Sequence, residues 1–250
     1  MRRLFERGAN ALFARTWDLG SPDLRRSHAE TVTRGFEKLT YERLRDNGLA
    51  PDGIIDVGAN RGDWSRSIRP IFPHGPILMV EAQATLEPEL ARASREIDGT
   101  EYRIALLGPA EGEERAFFEM GTGSSLLPEN SNVARTRTVA VTRTLDALAH
   151  EVMPGANAIF LKLDVQGAEL MILAGAAAML ERCAAVQLEA ALLPYNAGAP
   201  LIDEVVATMA RKGFLVTEVS GFSRPVAHLV QIDLVFARAG SPLRPEFFAF

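Results

Sequence analysis

Asp56, Gly58, Asn60 and Gly62 stand in the run Ile54-Ile55-Asp56-Val57-Gly58-Ala59-Asn60-Arg61-Gly62, an apolar strand that breaks into a glycine-spaced turn before a helix-compatible segment. A strand buried on both faces supplies rigidity, and glycines let the backbone turn sharply and approach a ligand where a Cβ would intrude. Asp56, Asn60 and Asp63 add polar contacts, so the run reads as a nucleotide cradle. About twenty positions on, Ile77-Leu78-Met79-Val80 forms a second apolar strand ending in Glu81. A carboxylate at the tip of that strand suits the vicinal hydroxyls of a ribose, as in doubly wound folds that grip adenosine-containing cofactors.

A second set of reactive side chains lies in Ala158-Ile159-Phe160-Leu161-Lys162-Leu163-Asp164. The two-residue strand period places Phe160, Lys162 and Asp164 on one face. Lys162 at a buried position needs a partner or a substrate. It either forms an ion pair with Glu169 or Glu189 or takes a direct catalytic role. Glu189 ends the strand Ala185-Val186-Gln187-Leu188-Glu189, at the carboxyl edge where open α/β sheets bind ligands.

The elements that must position these residues alternate. Strands are predicted at 53 to 57, 77 to 81 and 102 to 106, with helices near 62 to 71 and 86 to 96, the pattern of a doubly wound parallel sheet. Residues 115 to 119 and 136 to 141 read as extra strands around the turn-rich Gly121-Thr122-Gly123-Ser124-Ser125, an inserted hairpin or flap near 110 to 143. A helix near 144 to 151, a strand at 158 to 164, a helix near 168 to 180 and a strand at 185 to 189 resume the alternation. After a helix near 201 to 212, strands at 214 to 218 and 230 to 236 have no helix between them and form an antiparallel pair.

Upstream, residues 1 to 48 read as a helical extension, the core unit as 49 to 240, and 241 to 250 as a tail. Residues 2 to 17 intersperse Leu4, Phe5, Leu12, Phe13 and Trp17 with arginines, an amphipathic helix suited to docking on its own domain, to dimerisation or to weak contact with an anionic membrane surface. A helix from about 23 to 46 carries Val32, Phe36, Leu39 and Leu44 on its apolar face and stops at Asn47-Gly48.

With 250 residues, 47% of them apolar, one α/β domain can bury a substantial core. The 27 basic and 32 acidic side chains leave a formal charge of -5, which speaks against nucleic acid as a partner. Cys183, the lone cysteine, excludes an intramolecular disulfide and a cysteine metal cluster, and reads as a buried filler in a reducing compartment. No apolar stretch reaches the ~20 residues of a membrane span, and no signal-peptide segment is recognised, so the expected home is the cytoplasm. His28, His74 and His150 show no metal-ligand spacing, and His228 precedes the last strand as an alternative base.

Taken together, Asp56-Val57-Gly58-Ala59-Asn60-x-Gly62-x-x-Ser65, Thr144-Leu145-Asp146, Lys162-Leu163-Asp164-Val165-Gln166-Gly167-x-Glu169 and Gln231-x-Asp233-Leu234-x-Phe236 resemble the FkbM family of methyltransferases, over about residues 50 to 238. Gln166 departs from the glutamate usual there. Leu193-Pro194-Tyr195-Asn196 with Gly198-Ala199-Pro200 resembles the substrate-side loop of some members, where Tyr195 stacks on a sugar, donates its hydroxyl or simply packs.

The resemblance implies a class I methyltransferase (Rossmann-like) fold with S-adenosylmethionine as cofactor. Asp56 or Asp164 would meet the methionine ammonium, and the backbone N–H groups around Gly58 and Asn60 its carboxylate. Glu81 would take the ribose and the chain around Ala105 and Leu106 the adenine, with Ser124 and Ser125 closing from the flap or forming a plain turn. It further implies O-methylation of a hydroxyl on a sugar, glycan or secondary metabolite, a small-molecule or glycan acceptor that needs a base. Asp164 and Glu189 are the candidates, with Lys162 beside them. Carboxylates there also suit a divalent ion as hard oxygen ligands, without establishing one. Two rivals share the fold logic. A dinucleotide-dependent oxidoreductase lacks its Gly-x-Gly-x-x-Gly here, and a non-catalytic binding module draws only on the Gln166 departure.

Overall fold

The structure, a computed structural model, describes residues 35–131, 133–224 and 228–245. The amphipathic helix expected at 2 to 17, Val32 and His28 lie outside the described residues.

Seven strands form one sheet in the order β3-β2-β1-β7-β8-β10-β9. These are β1 (Gly53–Val57), β2 (Ile77–Glu81), β3 (Thr100–Ile104), β7 (Ile159–Leu163), β8 (Cys183–Ala191), β9 (Phe214–Ser223) and β10 (Gln231–Arg238). β1, β2, β3, β7 and β8 pair in parallel, and β10 is antiparallel to both its neighbours. Every residue of β1, β2 and β7 is buried, as continuous apolar runs covered on both faces require. The chain moves outward from β1 to β3 on one side and from β7 to β9 on the other. The direction therefore reverses between β1 and β7, and a crevice opens there at the carboxyl ends of the strands.

One face of the sheet is covered by α4 (Leu145–Val152), α5 (Glu169–Ala174), α6 (Ala177–Glu181) and α7 (Ile202–Arg211), and the other by α1 (35–46), α2 (Asp63–Ile68) and α3 (Glu87–Glu96). The first part of the second layer ends in a Schellman closure. Leu49 N–H donates to Leu44 O at 2.9 Å and Gly48 N–H to Arg45 O at 2.9 Å, with Gly48 at φ 101. On α1 the buried face is Thr40, Tyr41 and Leu44, whereas Leu39 is 55% exposed, a correction to its expected place. Positions 36, 40 and 44 lie on one stripe at the i+4 spacing, and residue 39 points away from it.

The inserted flap is a second sheet, β4-β6-β5, from β4 (Leu106–Leu107), β5 (Glu114–Glu119) and β6 (Thr136–Arg143), with β5 and β6 antiparallel. Two elements expected as single are divided. The strand expected at 102 to 106 is two strands, because Ala105 N–H bonds Glu81 O and the chain then leaves the main sheet for the flap. The helix expected at 168 to 180 breaks between α5 and α6, where a Cβ on Gly175 would lie 2.5 Å from Gly108 O. Asp146 restarts it by accepting Met179 N–H at 2.7 Å and Ala178 N–H at 3.1 Å, a cap supplied from α4. Cys183 is buried, and burial pushes its thiol up to about 12.

Candidate functional site

At the reversal crevice, Gly58 follows β1 with φ 76, and a Cβ there would lie 1.9 Å from Asp164 O, just past β7. The loop after β1 therefore presses on the end of β7, a contact only glycine permits. Asn60 also has positive φ, 50°, and its N–H donates to Glu81 Oε2 at 2.8 Å. Glu81 Oε1 accepts Gln83 N–H at 2.9 Å. The carboxylate of β2 is thereby fixed by backbone on both sides, and because Gln83 Nε2 also donates to Oε1 at 3.2 Å, its remaining acceptor capacity is on Oε2.

A cavity runs from Gly58 and Asn60 past Glu81 to Ala105 and Leu106 and under Ser124 and Ser125 of the flap, with Asp164 at its other end. Of the residues expected to bind a cofactor, Gly58, Asn60, Glu81, Ala105, Ser124 and Asp164 line it. Asp56 and Gly62 are not among its lining residues. Gly62 faces Met79 and Ala93, where a Cβ would sit 2.8 Å from Ala93 Cβ, so its smallness serves helix packing. Gln83, Phe117, Thr122 and Leu126 also line the cavity and went unread in the sequence. They come from a turn and the flap, whose approach no local spacing encodes.

Ser124 Oγ accepts Met120 N–H and donates to Gly121 O, which shapes the flap turn. Ser125, 1% exposed, donates to Gln166 O at 2.9 Å. Asn196 Nδ2 donates to the same carbonyl at 2.5 Å, so the flap and the 190s loop both clamp the turn after β7. Glu169 completes that turn by accepting Val165 N–H at 3.1 Å and Gly167 N–H at 3.2 Å. Burial raises the Glu169 carboxyl to about 7, although these amides oppose the rise.

On the opposite face of the sheet, register sets Asp56 beside Lys162 and Lys162 beside Gln187. Lys162 Nζ lies 3.3 Å from Asp56 Oδ1 and 3.3 Å from Asp164 Oδ2. Its partners are thus Asp56 and Asp164, a correction to the expected Glu169 or Glu189. Glu169 starts the helix after β7 and turns into its own loop, whereas Asp56 is the cross-strand neighbour. Burial pushes the ammonium down, but Asp56 and Asp164 outweigh it and hold its pKa above the usual lysine range. Asp56 is fully buried and also accepts the Ser65 hydroxyl at 2.7 Å. It supports the crevice through Lys162.

Glu189 meets three donors. Gln166 Nε2 approaches its two oxygens at 2.9 and 3.1 Å, Tyr195 OH donates at 2.8 Å, and Gln231 Nε2 also donates. Burial raises its carboxyl well above the usual range, with Asp164 adding to the rise. Gln166, at φ 56, also reaches Asp164 Oδ1 at 3.3 Å and so ties the two carboxylates together with a neutral amide. A glutamate there would instead add a third negative charge. Among the described residues no three His, Cys, Asp or Glu side chains are arranged to hold a metal ion. His228, His74 and His150 are exposed.

A second cleft, of about 500 Å³, opens on this face between Glu37 and Tyr41 of α1, Trp64 of α2, and Lys162, Gln187 and Asp233 of the sheet. Asp164 lines it too, and among the described residues it is the one shared with the first cavity. Trp64 Nε1–H donates to Tyr41 OH at 2.7 Å, and that hydroxyl lies 2.5 Å from Glu37 Oε1. α1 contributes Glu37 and Tyr41, one turn apart on the helix, and neither residue is singled out by the sequence.

Residues 56–216 match the model of the methyltransferase FkbM domain. No curated protein matches the chain. Among solved structures, magnesium protoporphyrin IX methyltransferase from Synechocystis PCC 6803 with bound SAH is similar at 11% identity and a TM-score of 0.50, over 92% of this chain and 94% of that one. Precorrin-6y C5,15-methyltransferase from Geobacter metallireducens is similar at 11% identity and a TM-score of 0.45, over 80% and 85%. At such identities the likeness concerns the fold.

Proposed function

Since the chain belongs to the FkbM family of S-adenosylmethionine-dependent methyltransferases, we propose that it methylates a hydroxyl oxygen of a sugar, glycan or secondary metabolite. The observation that carries this reading is the position of Asp164, just past β7, which lines both the first cavity and the second cleft. A donor in one space and an acceptor in the other would face each other there.

The residues of the first cavity suit the cofactor. Gly58 leaves room for a close backbone approach, Glu81 presents a carboxylate for ribose hydroxyls, and the backbone near Ala105 and Leu106 flanks an adenine. Bound there, the cofactor supplies an electrophilic methyl carbon on a positively charged sulfur. Asp164 brings negative charge to that end of the cavity, and Lys162 and Gln166 hold its side chain in place. The flap lines the cavity through Thr122, Ser124 and Ser125. In the second cleft Trp64 and Tyr41 form an aromatic wall and Glu37 an acceptor, suited to a hydroxyl-rich molecule.

Calorimetric titration of the purified protein with S-adenosylmethionine, S-adenosylhomocysteine and NAD, followed by labelled-methyl transfer to sugar and glycoside hydroxyls, tests the reading. Binding of the adenosyl ligands and an O-methyl product are expected. Binding of NAD alone, or a product methylated on nitrogen or carbon, overturns it. Glu81→Ala removes a ribose hydrogen bond to a charged group, worth about 1.5–3 kcal/mol, so affinity for S-adenosylmethionine is expected to fall roughly 10- to 100-fold. Unchanged affinity would defeat the ribose assignment.

No helix among the described residues is long and apolar enough to cross a membrane.

A further inference from the structure

The second cleft holds one carboxylate with no assigned partner. Asp233 lies on β10 opposite Glu189 of β8 and Gly221 of β9. Alternation carries it to the face of Gln187 and Lys162, and it lines the cleft with them. The other carboxylates of this face are engaged. Asp56 is buried against Ser65 and Lys162, Glu189 has three donors, Asp164 has Lys162 and Gln166, and Glu37 has Tyr41. Among the described residues no hydrogen-bond donor reaches the Asp233 carboxylate.

The sheet makes room for this side chain. A Cβ on Gly221 would lie 2.2 Å from Asp233 Oδ2, and the register of β9 against β10 shifts between Asp233 and Leu234. Glycine inside a strand marks a close approach, and a bulge re-aims a side chain. Both devices act at this one position.

We propose that Asp233 is the general base that takes the proton from the acceptor hydroxyl in the second cleft, a step that rests on the O-methyl transfer reading. Asp233 removes the hydroxyl proton while the acceptor oxygen bonds to the methyl carbon. The sulfur–methyl bond breaks with its electron pair kept on sulfur, and the proton passes from Asp233 to solvent through the open cleft. The groups facing Asp233 tune it. Burial raises its carboxyl to about 7, with Asp164 beyond β7, Glu37 of α1 and Glu169 of α5 adding to the rise and Lys162 of β7 opposing it; Glu189 is its neighbour on β8. A base with a pKa near the working pH combines a useful ionised fraction with proton affinity.

The test uses the full chain. In carbon-detected NMR with S-adenosylhomocysteine present, a carboxyl signal lost in Asp233→Asn is expected to titrate near pH 7; a signal that titrates near pH 4 overturns the proposal. With labelled S-adenosylmethionine and a panel of methyl hexosides, Asp233→Asn is expected to lose roughly 10²- to 10⁴-fold in kcat and the rising limb of the pH profile. Its affinity for S-adenosylhomocysteine should stay unchanged. Its Tm at pH 8 should equal or exceed that of the parent, because above pH 7 the native state alone carries this desolvated charge. Gly221→Ala, which displaces the carboxylate without removing it, should lower kcat in the same direction. An Asp233→Asn protein with parental turnover, or one that loses cofactor affinity and Tm together, overturns the assignment. A parent enzyme whose product carries the methyl on nitrogen or carbon overturns the O-methyl reading itself, and the two failures are distinguishable.

Discussion

Lys162→Met is expected to destabilise the protein by about 3–5 kcal/mol, the cost of removing one partner from a buried ion pair. The loss falls on Asp56, which is fully buried and, among the described residues, keeps only the Ser65 hydroxyl once Nζ at 3.3 Å is gone. Asp164, with 39% of its side chain exposed, can be hydrated instead. Methionine fills most of the lysine stem's volume against Trp64, whose ring centroid lies 5.4 Å from Nζ, so the cavity contribution is small. For a chain of this size the effect is a Tm lower by roughly 6–20 °C. Asp56→Asn in the same protein removes the orphaned charge and should recover most of the loss, an interaction that a double-mutant cycle measures. If Lys162→Met melts with the parent, or if the second substitution recovers nothing, the pair does not hold β1 to β7. Cofactor affinity should fall with the single change, since Asp164 then loses the cation that orients it in the crevice.

Gly58→Ala is the second large effect. The new Cβ would lie 1.9 Å from Asp164 O and 2.9 Å from Asp164 C, so backbone must move. Left-handed φ adds roughly 1–2 kcal/mol for any residue with a Cβ. The displaced residue, Asp164, lines both the cavity and the cleft, so binding and turnover are both expected to collapse, with a stability loss well above the φ term. Gly112→Ala serves as a control: its φ of 78 is alike, but nothing lies within 4 Å of the added Cβ. Urea unfolding of both separates contact from conformation. Equal losses in the two variants would show that the approach of β1 to β7 is soft.

The legible parts of the site share a local origin. Gly58, Asn60 and Glu81 stand at strand ends that continuous apolar runs announce, and both β1 and β2 have the boundaries those runs predict. Lys162 was equally visible as a buried charge in need of a partner, yet its partner was not. Pairing depends on which strand lies alongside, and β1 beside β7 is a contact between residues 106 positions apart. The break at Gly175 has the same character, since only the approach of Gly108 O explains why a helical pattern stops there.

By itself the sequence determined the alternation of strands and helices, the glycine turn after β1, the acid at the end of β2, the inserted flap and the antiparallel close of the sheet. Each of these is written in the hydrophobic period or in a turn residue, which act over a few positions. Only the tertiary structure decided that Asp56 supports the crevice from below, that Glu189 is engaged by three donors, that α1 walls a second cleft with Glu37 and Tyr41, and that Asp233 faces it. Those facts follow from strand order and register. They bring distant residues together on one face and leave each carboxylate with whatever donors that face provides.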